Sequence, residues 1–307
     1  SHPDGWMGAD GAYSVPLPDG RSVWIFGDTI LGKAQTDGSL KPSAFINNSL
    51  ILQDGDKLTA IHGGSNAKPS AVITPTDSDT WYWPINGIVE SDKLRVFLLH
   101  LKRAGNGTPG FDFTGIGHAI ATLSLPDLKV EGVAPLPFDS KVDYGSSFVE
   151  DGGYTYIYGL EDLQSAKYGH VARVARGQIT SGKWQFYTGA GWSSNPVSAT
   201  RIISDVSNLS VFKRGSGYVL VGMESGFGFG KNILAYYSCS PVGPWVNRAV
   251  LYTVPEANGS IVTYLANAHP EFSKGAPLLI SYCLNNTKPQ AGANNIYRPH
   301  FIRVSLP

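Results

Sequence analysis

The sequence predicts an all-β fold, a five-bladed β-propeller with about four antiparallel strands per blade. No long stretch shows the apolar periodicity of a helix. The 36 glycines, 20 prolines and 11% aromatic residues suit short strands joined by tight turns. An apolar, β-prone core recurs five times, about every 60 residues, the spacing of four-stranded blades. Five such units account for the whole chain as one domain, residues 1–307. A two-sheet sandwich with accidental spacing is the competing architecture.

Each recurring core reads as the second strand of its unit. In order they are Trp24-Ile25-Phe26-Gly27, Val96-Phe97-Leu98-Leu99, Tyr156-Ile157-Tyr158-Gly159, Leu220-Val221-Gly222-Met223 and Leu279-Ile280-Ser281-Tyr282. A turn rich in Gly or Asp precedes each: Asp19-Gly20, Ser91-Asp92, Asp151-Gly152-Gly153, Gly215-Ser216-Gly217 and Lys274-Gly275.

The first unit carries the sharpest feature. Two β-prone runs, residues 8–17 and 21–29, flank Pro18-Asp19-Gly20. That triplet suits a type I turn closed by a glycine in the left-handed region, a three-residue hairpin loop. Such a loop pairs Leu17 with Arg21, and the same register sets Asp10 opposite Asp28, with β-carbons about 4.5–5.5 Å apart. Like charges directly opposite destabilise a sheet. Their placement therefore points to use, and paired carboxylates about 5 Å apart suit retaining glycoside hydrolysis. A two-residue loop would instead leave the aspartates diagonal and on different faces. Asp10 could equally cap a turn, and Asp28 could hold the Gly27-Asp28-Thr29 bend through its own backbone. As a close pair, the two are expected to titrate apart, with repulsion and desolvation keeping the proton on Asp10.

Aligning the units extends the map. In a propeller the first strand of each blade lines the central axis, and Asn86, Tyr144, Asn208 and His269 match Asp10. Convergent hydrogen-bonding groups of this kind suit a polyhydroxylated ligand. Taken singly, Asn86 and Asn208 would only satisfy turn backbone, and His269 would be a buried neutral histidine. Glu224 ends the second strand of the fourth blade and corresponds to Asp28. Trp83, with Trp81 and Tyr82, offers a face for a sugar ring or packs in the core. Arg298 pairs with an acid or lies on the surface.

Composition narrows the partners. Lys+Arg and Asp+Glu are balanced at 24 each and charged residues make up 16%, which argues against nucleic acid or an anionic membrane. No apolar run reaches the roughly 18 residues of a membrane span. No spacing marks a zinc or calcium site, and no glycine-rich nucleotide loop occurs, so neither metal nor cofactor is expected. Cys239 and Cys283 lie in separate expected strands and are either one disulfide or two thiols. Asn47-Asn48-Ser49 is one of several glycan-acceptor triplets, relevant only in a eukaryotic secretory host.

Gly8-Ala9-Asp10-Gly11-Ala12-Tyr13-Ser14, followed by Trp24-Ile25-Phe26-Gly27-Asp28-Thr29, resembles secreted five-bladed propeller glycoside hydrolases, most of all the bacterial endo-D-arabinanase family. The likeness continues in Trp83-Pro84-Ile85-Asn86-Gly87, Tyr144-Gly145-Ser146-Ser147, Ser240-Pro241-Val242-Gly243-Pro244-Trp245, His269-Pro270 and Tyr297-Arg298-Pro299. The resemblance implies a secreted, monomeric enzyme that cleaves D-arabinofuranosyl linkages with retention. It implies Asp28 as nucleophile and Asp10 as acid/base. Two alternatives stand beside it: an inverting arabinanase-like hydrolase with Glu224 as acid, and a non-catalytic carbohydrate-binding propeller.

Overall fold

The Pro18-Asp19-Gly20 turn forms as its residues dictate. Leu17 N–H donates to Arg21 O at 2.8 Å and Gly20 N–H to Leu17 O at 3.1 Å. Gly20 takes a φ of 88°, which a side chain would resist. Asp19 accepts the Arg21 N–H and pairs with its guanidinium. A computed structural model describes residues 5–34, 40–105, 112–163, 166–225, 229–273, 277–288 and 296–307. The chain forms two units, Ser1–Pro137 and Phe138–Pro307.

The first unit holds two blades. Blade one comprises β1 (Gly5–Pro16), β2 (Ser22–Ala34), β3 (Leu40–Ile46), β4 (Ser49–Asp54) and β5 (Lys57–Ile61). Its order is β1-β2-β4-β5, and β3 pairs with the far end of β2. A small hairpin follows, β6 (Gly63–Ser65) and β7 (Lys68–Ser70). Blade two is β8 (Thr80–Glu90), β9 (Lys93–Lys102), β10 (Thr114–Ser124) and β11 (Val130–Pro135), in sequential order. First strands β1 and β8 lie side by side, and Val23, Ile25, Leu94, Val96 and Leu98 are fully buried between the blades.

The second unit holds three. Blade three is β12 (Val142–Asp151), β13 (Tyr154–Asp162) and β14 (Lys167–Ala175), extended by β15 (Gln185–Tyr187), β16 (Trp192–Ser193) and β17 (Ile203–Ser204). Blade four is β18 (Ser210–Arg214), β19 (Gly217–Met223), β20 (Asn232–Ser238) and β21 (Val246–Thr253). Blade five is β22 (Ile261–His269), β23 (Leu278–Asn286) and β24 (Pro299–Val304). These five antiparallel sheets are the blades of a five-bladed β-propeller. Every recurring core read from the sequence is the second strand of its blade: β2, β9, β13, β19 and β23. No described helix is long and apolar enough to cross a membrane.

Candidate active site

The register set by the turn runs from Pro16 opposite Ser22 to Tyr13 opposite Ile25, and resumes at Ala9 opposite Thr29. Between these stretches two bulges compensate each other. Gly11 pairs with Phe26, so Ala12 is an extra residue on β1, while Asp10 alone faces both Gly27 and Asp28 on β2. The two aspartates are therefore offset, where the unbroken register put them directly opposite. A bulge re-aims side chains, and this one takes Asp10 out of the position directly opposite Asp28. Gly11 and Ala12 both take positive φ, 101° and 58°. Gly27 supplies the space: a Cβ there would stand 2.5 Å from Asp10 Oδ1. The Asp10 carboxylate thus rests against the bare Cα of the residue before Asp28.

Asp28 is mostly buried. Its Oδ1 accepts the Trp83 Nε1–H at 2.7 Å and the Asn47 Nδ2–H at 3.1 Å. Burial pushes the carboxyl up to about 6, against the pull of these two N–H groups, which favour its charged form. The sequence reading expected a raised carboxyl at Asp10 through repulsion and desolvation; at Asp28 the carboxyl is raised, with desolvation as the leading cause. Trp83 is itself braced, edge-on to Phe113 at 4.6 Å and to Trp81 at 6.4 Å.

Asp28 forms part of the wall of a cavity of about 750 Å³. Trp81, Trp83, Phe113 and Phe45 give it aromatic surfaces, and Phe45 is 60% exposed. Asn47, Asp79, Asp112, Lys102 and Arg103 add polar groups. Flat apolar faces beside hydrogen-bonding and charged groups are what a sugar ring requires. Apart from Trp81 and Trp83, none of these aromatic or polar neighbours of Asp28 was singled out from the sequence as a site residue. They arrive on β3 and the turn after it, on the segment before β8, and on the end of β9 and the connection from it to β10, away in sequence from Asp28. Asn47 was visible only as the first residue of an acceptor triplet.

The remaining candidates are not among the residues that line this cavity. Asn86 pairs with Phe97 beside a bulge in β8, and its Oδ1 accepts the N–H of Gly87 at 2.7 Å. Tyr144 is buried among Phe138, Trp184 and Phe186, its hydroxyl lacks a partner, and burial pushes its ionisation up. Asn208 is a buried cross-link: Nδ2 donates to Ala266 O at 2.6 Å and Oδ1 accepts the Met223 N–H at 2.9 Å. His269 is 1% exposed and shares a hydrogen bond with the Ser281 hydroxyl at 2.8 Å. Burial lowers its pKa to about 3, so it is neutral. Glu224 follows β19 and is engaged on both oxygens, by Arg248 at 3.1 Å and by Asn232 Nδ2–H at 2.7 Å. It lines a separate cavity of about 400 Å³ with Phe229 and Lys231. Arg298 is exposed. Cys239 and Cys283 are free thiols.

Among solved structures, a candidate hydrolase from Bacteroides ovatus is similar over 98% of this chain and 86% of its own, at 24% identity and a TM-score of 0.83. A xylan β-1,4-xylosidase from Bacillus halodurans matches over 95% of this chain and 51% of its own, at 10% identity and a TM-score of 0.55. An exo-β-1,3-galactanase from Phanerochaete chrysosporium, with β-1,3-galactotriose, matches over 98% and 66%, at 10% identity and a TM-score of 0.53. At these identities the likeness is one of fold. No curated protein matches the chain. The model of a domain of unknown function, DUF5005, matches residues 1–306, and the chain belongs to that family.

Proposed function

We propose that the chain is a secreted glycoside hydrolase that cleaves furanosyl linkages, D-arabinofuranosyl by the resemblance of its motifs, with Asp28 and Asp10 as its working carboxyls. One observation carries the proposal: a desolvated carboxyl, fixed by an indole and a carboxamide N–H, on the wall of an aromatic-sided cavity. Proteins of similar fold named as a xylosidase and a galactanase support a carbohydrate substrate.

The roles implied by the resemblance are exchanged in this reading. A group raised to about 6 exchanges its proton close to neutral pH, which suits general acid/base catalysis. Both N–H donors meet Oδ1, as they would a carbonyl oxygen, and the proton of the neutral carboxyl belongs on Oδ2. Asp28 gives that proton to the glycosidic oxygen as the bond to the anomeric carbon breaks. Asp10 attacks the anomeric carbon and forms a glycosyl ester. Asp28, now ionised, takes a proton from water, and that water releases the sugar and restores both groups.

A panel of aryl furanosides and cell-wall polysaccharides tests the proposal, with products followed by chromatography and their first-formed anomer by NMR. Release of a furanose with retained configuration, lost in Asp10→Asn, is the expected result. Sugar binding undiminished in both aspartate variants, with no product from any substrate, would leave a carbohydrate-binding propeller in its place.

A further inference from the structure

The turn between β3 and β4 carries Asn47 and Asn48, Ser49 opens β4, and all three reach the surroundings of Asp28. Asn47 donates to its Oδ1 at 3.1 Å. Ser49 is buried and pairs with Phe26 in the β2–β4 ladder. Its hydroxyl lies 2.8 Å from that of Thr29, which donates to Gly27 O at 2.8 Å. Gly27 and Thr29 flank Asp28, so the backbone on both sides is tied to Ser49. Asn48 points away from Asp28 and is 1% exposed. Its Nδ2 donates to Ile73 O at 2.8 Å and Tyr82 O at 3.1 Å, and its Oδ1 accepts the Ile73 N–H at 2.8 Å. Tyr82 immediately precedes Trp83, the second donor to Asp28. One buried carboxamide therefore locks the turn bearing the Asn47 donor to the strand bearing the Trp83 donor.

We infer that Asn47-Asn48-Ser49 is a positioning latch for Asp28: Asn47 bonds the carboxyl, and Asn48, without touching it, fixes where both donors stand. A buried side chain with its hydrogen bonds met is rigid, and a small displacement of either donor alters a charge-assisted bond steeply. The two donors favour the ionised carboxylate and burial favours the neutral acid, so the latch sets the balance between them. Other titratable groups near Asp28 are Asp10 on β1, Asp79 before β8, Lys102 and Arg103 at the end of β9, and Asp112 before β10. The consequence for turnover rests on the hydrolase reading; the titration of Asp28 does not.

NMR titration of the Asp28 carboxyl carbon in Asn47→Ala and Asn48→Ala tests the latch, with thermal unfolding as the control for folding. Loss of the Asn47 donor should raise the midpoint by about one pH unit, the worth of one hydrogen bond to a charged group. Asn48→Ala should move it the same way although it removes no contact to Asp28. Where Asn48→Ala does not fold, Asn48→Ser is read in its place with the same expectation. A midpoint unmoved by Asn47→Ala, or unmoved by the Asn48 variant in folded protein, overturns the latch. Shifted titrations without hydrolysis of any furanoside would uphold the latch and remove the hydrolase reading.

Discussion

Replacing Asp28 by asparagine should stabilise the protein, and only above acid pH. The carboxyl moves from an ordinary value of 3.8 when unfolded to about 6 when folded. Below the lower value it is neutral in both states and contributes nothing. As pH rises from about 4 to about 6, the unfolded chain releases a proton that the folded protein retains, so stability falls. Above about 6 the loss is complete, roughly two pH units at about 1.4 kcal/mol each, or about 3 kcal/mol. Asparagine keeps the oxygen that accepts the Trp83 and Asn47 N–H groups and carries no charge to desolvate. Denaturant unfolding of the parent and Asp28→Asn at intervals between pH 3.5 and 8 measures the difference. The curves should coincide near pH 4 and separate to about 3 kcal/mol by pH 7, the variant being the more stable. A difference that stays flat across that range would show that Asp28 is not the desolvated group described here.

Gly27→Ala places a methyl where Asp10 Oδ1 now lies. A side-chain end can move aside, so melting should change little while turnover on a furanoside falls about a hundredfold, the scale for a misplaced reacting group. Phe45→Ala, at an exposed site, should leave stability within about 0.5 kcal/mol and raise KM about fivefold for oligosaccharides. Tyr144→Phe deletes a buried hydroxyl without a partner; stability should hold or rise by about 1 kcal/mol with turnover unchanged, and a loss of either would return Tyr144 to the site.

What the sequence disclosed follows from burial. Strands β13 and β19 are buried along nearly their whole length, on both faces, so they read as unbroken apolar runs rather than alternating ones. That is why the five units were legible; the turn read at Lys274-Gly275 lies outside the described residues. The bulges at Asp10 were not legible, because the turn specifies the register next to it and a later slip depends on how carboxylates repel and where a glycine leaves room. Most of the cavity around Asp28 was hidden for another reason: Asn47, Asp79 and Phe113 come from three separated segments, and only the blade packing joins them. Glu224 comes one residue after the end of its second strand, where the alignment had it ending that strand. Its oxygens are nevertheless occupied by Asn232 on β20 and Arg248 on β21, and no residue adjacent in sequence indicates that. Tyr144 belongs to an aromatic cluster completed by Trp184 and Phe186, some 40 residues downstream.

The hydrogen bonds from Trp83 and Asn47 do not by themselves account for an acid at position 28. Elsewhere this chain meets the same structural need with asparagine. Asn48 joins the β3–β4 turn to Ile73 and Tyr82, and Asn208 joins Met223 to Ala266. Both are buried carboxamides that accept an N–H and donate to carbonyls, with no charge to hide. At position 28 the oxygen accepts two N–H groups, which an asparagine would also do, yet the residue is a carboxylic acid that burial raises to about 6. The acid lowers stability above that pH, and the two N–H groups it accepts are ones an amide oxygen would also accept. What it alone supplies is a proton that can leave and return near neutral pH. A local rule broken where a cavity, two aligned donors and a second carboxylate over Gly27 meet is the pattern of a site built for proton transfer. The same contrast fixes what a rescue must restore: an asparagine at position 28 reproduces the geometry, and only a titratable group restores turnover.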